Sequence, residues 1–426
     1  MSTAPFTSSL AEAIAPDLLE RFLRYVRIDT QSRRDRDRCP STPGQLELGA
    51  LLAEELRDIG LADGEVDANG YVFATLSGDG EGSDSGRPAI GLIAHMDTSP
   101  DAPGAGVEPL VHQDYDGGIL ELPRDGTRLD PESMPELQAK LGHEIVTASG
   151  DTLLGADDKA GVAAIMAAVA HLSAHPELPR PLIRIGFTPD EEIGEGATLF
   201  DIGRFGARCA YTIDGSELGE LQDETFSADE VILVIDGVDV HPGQATGKLV
   251  NALRLAAQIV AALPPELAPE TTAERQGFIH PYQLSGTPAQ ARIAAIVRDF
   301  DDDRLASHVE LLENTAREVL ENQPRARIRV DIRRQYRNMR SHLDAVPEVT
   351  AAAEEAIRAE GLEPIRVPIR GGTDGSRLSE MGLPTPNIFT GAHDFHSVRE
   401  WASVQDMAAS AATIVRLAEV WSRDAK

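Results

Sequence analysis

Three short apolar runs in this chain each lead straight into residues able to hold a metal ion. Ile90 to Ala94 leads into His95-Met96-Asp97, Leu182 to Phe187 into Thr188-Pro189-Asp190-Glu191-Glu192, and Cys209 to Ile213 into Asp214-Gly215. A further acidic pair, Asp157-Asp158, precedes a helix-like stretch from Ala160 to Leu172, and His396 follows far downstream. No one of these pieces binds a metal pair alone. Strand ends and helix starts are where an open α/β sheet gathers side chains into one crevice, so the pattern points to that architecture. It argues for a catalytic centre rather than a structural zinc clip.

The periodicity supplies the rest of the frame. Leu18, Leu19, Phe22, Leu23 and Val26 recur at helical spacing, as do Leu46, Leu48, Leu51, Leu52 and Leu56 ahead of the stop at Gly60. Tyr71 to Leu76 reads as a strand, separated from Ile90 to Ala94 by a polar, Gly-rich turn from Ser77 to Arg87. After Asp223 the pattern changes. Extended runs at Val231 to Val240, Arg292 to Phe300 and Ala326 to Ile332 alternate with helical ones at Leu249 to Leu263 and Leu305 to Leu320. None of the candidate ligands lies in this stretch, which suggests an inserted α+β domain. The expected fold class is α/β. A discontinuous domain, residues 1–224 and 341–426, would have a mixed central sheet flanked by helices, and residues 225–340 would be inserted into it. A helix at Val346 to Ala359 and a strand near Ile365 to Pro368 return the chain to the first domain.

Composition narrows the function classes. With 426 residues and 42% hydrophobic content the chain can build two cores, mainly from aliphatic residues because aromatics are only 4%. A net charge of −31 repels polyanions, and the Arg33, Arg34, Arg36, Arg38 stretch is interleaved with Asp35 and Asp37, so no nucleic-acid partner is expected. The Ala-rich run from Ala160 is too short to span a bilayer, and no membrane association is expected. The start of the chain lacks the features of a secretory signal, and two distant cysteines, Cys39 and Cys209, suit a reducing compartment. The expected location is the cytoplasm.

The residue types fit one chemistry. His95 is a neutral imidazole donor, and Asp97, two residues on in an extended segment, can hold its other ring nitrogen. Asp157 can bridge two cations, with Gly155 and Gly161 removing bulk around it, while Asp158 is suited to capping the helix. In an extended segment Glu191 and Glu192 would point apart, one ligating and the other free to take a proton. His393 and His396 compete for the last imidazole position. Two histidines and three carboxylates form an oxygen and nitrogen shell that suits two Zn2+, with Co2+ or Mn2+ as alternatives.

Taken in order, Ile93-Ala94-His95-Met96-Asp97-Thr98, Leu154-Gly155-Ala156-Asp157-Asp158-Lys159-Ala160-Gly161, Thr188-Pro189-Asp190-Glu191-Glu192-Ile193-Gly194, Asp214-Gly215, His241-Pro242-Gly243 and Arg370-Gly371-Gly372-Thr373-Asp374-Gly375 resemble the M20 metallopeptidase family. The likeness is to its tripeptide aminopeptidase branch and covers nearly the whole chain. It implies a dinuclear enzyme that releases the N-terminal residue of tripeptides through a metal-bridging water. The alternatives within the family are a dipeptidase or an N-acyl amino acid amidohydrolase. By the same resemblance His95, Asp157 and Asp214 hold one ion and Asp157, Glu192 and His396 the other. Asp97 is the orienting acid, Glu191 the proton acceptor and His241 a stabiliser of the transition-state oxygen. Arg298, Arg370 and Gly371 are the implied substrate-binding residues, though a salt bridge from Arg298 to Asp299 or Asp301 competes with that role. A cis peptide at Asp157-Asp158, a lid formed by the insertion, and homodimer formation through that lid are further implications. Asp394 stands where the family more usually has Asn, and His393 precedes it in place of a small or aromatic residue.

Overall fold

Four apolar strands with little polar interruption can only be buried on both faces, and that is where the chain puts them. In the computed structural model, which describes residues 5–79 and 88–423, Ile183–Thr188, Ile90–His95, Cys209–Gly215 and Asn387–Phe389 lie side by side and mutually parallel. They form the centre of an eight-stranded mixed sheet. Val72–Leu76 and Glu65–Val66 extend one edge antiparallel, and Glu220–Gln222 with Ile365–Arg366 complete the other. Most of the expected polar turn before Ile90 lies outside the described residues.

Parallel strands share one carboxyl edge, so everything that follows them emerges on the same side. His95 ends its strand in register with Thr188, which leads to Glu191 and Glu192. Asp214 sits near the end of its own strand, and the segment carrying His396 follows Phe389.

The helix Ala156–Ala174 is buried all round, which explains why its sequence has no polar stripe. It packs against the strands Ile90–His95 and Cys209–Gly215 and against the helices Ser9–Tyr25 and Val404–Arg423. Asp157 and Asp158 depart from helical dihedrals, and the peptide bond between them is cis. Gly161 is required by close approach. A Cβ there would overlap the carbonyl oxygen of Ile213 and the carboxylate of Asp158.

The chain divides into two compact units, the second comprising Glu224–Arg340 and Pro368–Gly372. The sequence reading assigned residues 368–372 to the first domain. Their backbone instead pairs within the second unit, Phe226 donating to Ile369 O at 3.0 Å and Ile369 to Glu224 O at 2.8 Å.

That unit is an antiparallel sheet in the order Phe278–Gly286, Gln290–Asp299, Ser227–Asp236, Arg327–Tyr336. The helices Ala252–Ala262 and Asp302–Glu321 cover it, burying Leu233, Ile235, Ile293, Val297 and Leu312. The strand Phe278–Gly286 was not anticipated. It is an edge strand with Pro281 inside and an exposed outer half, so it lacks a hydrophobic alternation.

Candidate active site

The strand ends bring together side chains that lie up to three hundred residues apart in sequence. His95 Nε2 is 2.9 Å from Asp157 Oδ1 and 3.7 Å from Asp214 Oδ1. On the far side of Asp157, His396 Nε2 is 3.2 Å from Asp157 Oδ2 and 2.9 Å from Glu192 Oε2. Asp157 thus offers one oxygen to each histidine. His393, the competing imidazole, is buried elsewhere, stacked on Trp401 with ring centroids 4.3 Å apart.

Asp97 acts differently from the simple reading. Its carboxylate accepts the backbone N–H groups of Glu191 at 2.9 Å and Glu192 at 3.1 Å, gripping the acidic turn. His95 Nδ1 is nearer the Asp97 carbonyl oxygen, at 3.0 Å, than its carboxylate, at 3.4 Å. The segment Glu191–Ile193 is a 3-10 turn, not extended as expected, and Asp190 enters it with a positive φ. The two neighbouring acids still differ. Glu192 reaches His396, while the Glu191 carboxylate takes no hydrogen bond from any described residue. Asp158 takes the expected capping role, accepting Gly161 N at 3.1 Å, and also accepts His95 N at 3.2 Å.

Electrostatics indicates what the cluster lacks. Burial, reinforced by neighbouring carboxylates, pushes Glu191 and Asp214 well above the ordinary carboxylate range, and Glu192 up to about 7. Burial opposes protonation of His396, yet hydrogen bonds to Asp157 and Glu192 prevail and hold it up at about 11. Protons therefore supply the positive charge that this crowd of acids demands. Divalent cations would do so better, and the donors are the oxygen and nitrogen atoms such ions prefer. Glu192 Oε1, buried and without a hydrogen-bond partner among the described residues, fits the same requirement.

The remaining sequence candidates belong to the second unit. His241 is exposed before the turn Pro242–Gln244, its Nδ1 accepting Gly243 N at 3.2 Å. Arg370 spends its guanidinium on the 272–276 segment, donating to Glu274 O at 2.8 Å, Gln276 O at 3.0 Å and Thr272 Oγ1 at 3.0 Å. It also lies over the rings of Phe226 and Phe278. That engagement goes against a free substrate fork. Gly371 follows it with ordinary space around its Cα. Arg298 makes neither of the salt bridges weighed for it. Asp299 pairs instead with Arg304 and His308, and Arg298 Nε is buried without a partner among the described residues.

The model for "Peptidase family M20/M25/M40" matches residues 151–420. The chain belongs to the M20 peptidase family. Among M20 relatives, Peptidase T of Bacillus velezensis is 46% identical over 410 residues, covering 96% of this chain and 99% of that one. Peptidase T of Bacillus subtilis is 44% identical at the same coverage. Of the solved M20-like folds, aminopeptidase PepT from Bacillus cereus superposes with a TM-score of 0.73 at 21% identity over 96% of this chain and 98% of that one. A tripeptidase from Staphylococcus aureus gives 0.75 at 20% identity over 96% and 99%.

The M20 cluster also depends on three further acids to which the sequence assigns no role. Glu400, buried and pushed up to about 7 by that burial, accepts Leu154 N at 2.8 Å, Gly155 N at 2.7 Å and Asp157 N at 2.9 Å, fixing the loop that presents Asp157. Asp190 accepts Ser41 N and Gln45 Nε2, each at 2.8 Å, anchoring the acidic turn to the start of the helix Pro43–Asp58. Asp374, raised to about 6 by burial, accepts Thr188 Oγ1 at 2.7 Å. Asp190 and Asp374 lie inside motifs quoted above, whereas Glu400 does not. Glu400 and Asp190 look in sequence like ordinary acids on loops. No helix among the described residues is long and apolar enough to cross a membrane.

Proposed function

We propose that this chain is a dinuclear metal-dependent aminopeptidase that releases the N-terminal residue of tripeptides. The reading draws on the relatives' names and rests on one observation, the unengaged Glu191 carboxylate beside the cluster of His95, Asp157, Glu192, Asp214 and His396. In this reading His95, Asp157 and Asp214 hold one ion and Asp157, Glu192 and His396 the other. Two such cations, zinc by default and cobalt or manganese as substitutes, would lower the pKa of water and neutralise charge developing on the carbonyl oxygen.

The protein's own groups carry the proton work. Glu191 takes a proton from the attacking water and delivers it to the nitrogen of the leaving amine. Asp97, by holding the N–H groups of Glu191 and Glu192, keeps these neighbours in separate duties. His241 polarises the substrate carbonyl. Arg298, rather than Arg370 with both terminal nitrogens engaged, reads the distal carboxylate, and such a reader would limit peptide length. The second unit is the lid in this scheme, and the free cysteines Cys39 and Cys209 agree with a cytoplasmic location.

A metal-holding protein without activity would have no use for Glu191. Glu191→Gln is therefore expected to retain both ions by elemental analysis while losing turnover of free tripeptides. Full activity in the loaded variant refutes the assigned base. In a length series, preference for N-blocked over free peptides would favour the amidohydrolase alternative.

A further inference from the structure

A second acidic site lies within the first unit, apart from the ligand cluster. Its cavity of about 470 Å³ is lined by Met134, Glu136, Ser216, Glu217, His393 and Trp401. The volume is in the range of small-molecule pockets. Inside it the protonation of His393 can be worked out from its neighbours. Ser216 Oγ has a single proton, which it donates to Ala392 O at 2.8 Å. It can therefore only accept from His393 Nδ1, 3.3 Å away, and that ring nitrogen must carry the hydrogen. His393 Nε2 is left as a bare acceptor.

This nitrogen belongs to a side chain only 6% exposed, has no hydrogen-bond partner among the described residues, and lies 3.8 Å from Glu217 Oε2. Two acceptors thus face each other with no donor between them. The surrounding charge is also negative. Lys140 donates to Glu217 Oε1 at 2.7 Å and lies 2.8 Å from Asp406 Oδ2, one ammonium for two carboxylates. Glu220 adds another carboxylate, held by the N–H groups of Ser216 at 2.8 Å and Glu217 at 3.1 Å. Asp394 is balanced by Arg399 at 3.3 Å. The buried His393 Nε2 demands a donor, while the Glu217 carboxylate beside it is 39% exposed and open to a ligand, and the excess of negative charge favours a positive one.

The walls define the rest of the ligand. Trp401 and Met134 give an apolar surface beside the acceptors, so the site suits a cation on an aliphatic stem. A divalent ion among Glu217, His393 and Asp406 is disfavoured, because the Lys140 ammonium already sits between the two carboxylates. The cavity also adjoins the ligand cluster in sequence. Ser216 follows Asp214 by two residues, and His393 precedes His396 by three, a Cα separation of at most about 11 Å at 3.8 Å per step.

We propose that this cavity is a side-chain subsite of the peptide-binding site, selecting a lysine or arginine residue of the substrate through His393 and Glu217. The inference rests on the peptidase reading above. Its test uses the metal-loaded protein and the tripeptides Lys-Ala-Ala and Ala-Lys-Ala, each paired with its norleucine counterpart, which has a similar stem without the charge. At one position kcat/KM should favour lysine over norleucine at least tenfold. His393→Phe should bring that ratio close to one while norleucine peptides are still cleaved, and His393→Gln, which keeps an acceptor oxygen, should restore part of it. Equal rates for lysine and norleucine at both positions, or a ratio untouched by His393→Phe, overturn the proposal.

Absence of cleavage of every tripeptide would count against the peptidase reading instead. Calorimetric titration with pentylammonium and with pentanol then decides the cation site by itself. Tighter binding of the amine, lost in His393→Phe, supports it. Equal binding, or a metal peak between Glu217, His393 and Asp406 in anomalous diffraction, overturns it.

Discussion

Replacing Glu400 separates the support of the cluster from the cluster itself. Its Oε2 accepts two N–H groups, from Leu154 and Gly155, and its Oε1 accepts that of Asp157. Glu400→Gln leaves only one acceptor oxygen. If the amide oxygen faces Leu154 and Gly155, the NH2 group opposes the N–H of Asp157. In the reverse orientation it opposes two N–H groups, so the first arrangement is preferred. One buried donor is then unsatisfied at a cost of about 1–3 kcal/mol, and a charge-assisted bond is lost beside it. In Glu400→Ala all three donors lose their acceptor, for a total of roughly 3–5 kcal/mol.

The peptide most affected is that of Asp157, the residue proposed to bridge both ions. Loss of a supporting partner of a ligand typically lowers metal affinity about 10–100-fold. Competition titration with a chromogenic chelator should therefore show this loss in Glu400→Gln, together with a lower urea midpoint for the metal-free protein. Unchanged metal affinity and an unchanged midpoint would refute the argument that Glu400 holds the ligand loop.

Other expectations concern groups away from the ligands. Burial lowers His393 to about 4, against an ordinary value near 6.5, so between these pH values the unfolded chain binds the extra proton and stability falls as pH drops. From pH 7 to pH 5 this single group should cost about 2 kcal/mol, measured by urea unfolding and absent in His393→Phe; an equal pH slope in both proteins refutes the assignment. Gly161→Ala places a methyl group against backbone at Ile213, which cannot yield as a side-chain end would, and a loss of several kcal/mol, on the order of 4, should appear in thermal unfolding. Arg370→Lys loses the fork that ties down residues 272–276 and should lower stability by about 1–3 kcal/mol with little change in KM, whereas a large KM effect at unchanged stability would restore Arg370 as the carboxylate reader.

The parts of this fold that were legible in sequence are those with an unambiguous hydrophobic period. Ile90–His95, Ile183–Thr188 and Cys209–Gly215 stand out as short apolar runs flanked by polar punctuation, and each delivers its site residue at its end. The site residues themselves were conspicuous because acids and imidazoles rarely follow buried strands without a reason. What escaped notice depends on tertiary context. The helix Val404–Arg423 is buried along most of its length, its Ala and Ser positions included, which only its packing in the fold reveals. Asn387–Phe389 is only three residues long, yet it lies between two other strands of the main sheet. The turn at Glu191 was read as extended because nothing local announces the grip of Asp97 on its N–H groups, ninety-odd residues away in the chain. The engagement of Arg370 is likewise set by carbonyl groups that no pattern of side chains reveals.

The place of Asn387–Phe389 in the sheet bears on how the molecule is born. During synthesis this strand emerges after both of its neighbours in the sheet, and His396 and the helix Val404–Arg423 come later still. Until then Cys209–Gly215 and Glu220–Gln222 lack the neighbour that joins them, and the second imidazole is missing. The ligand cluster is thus assembled only after the strand that closes its sheet has been made.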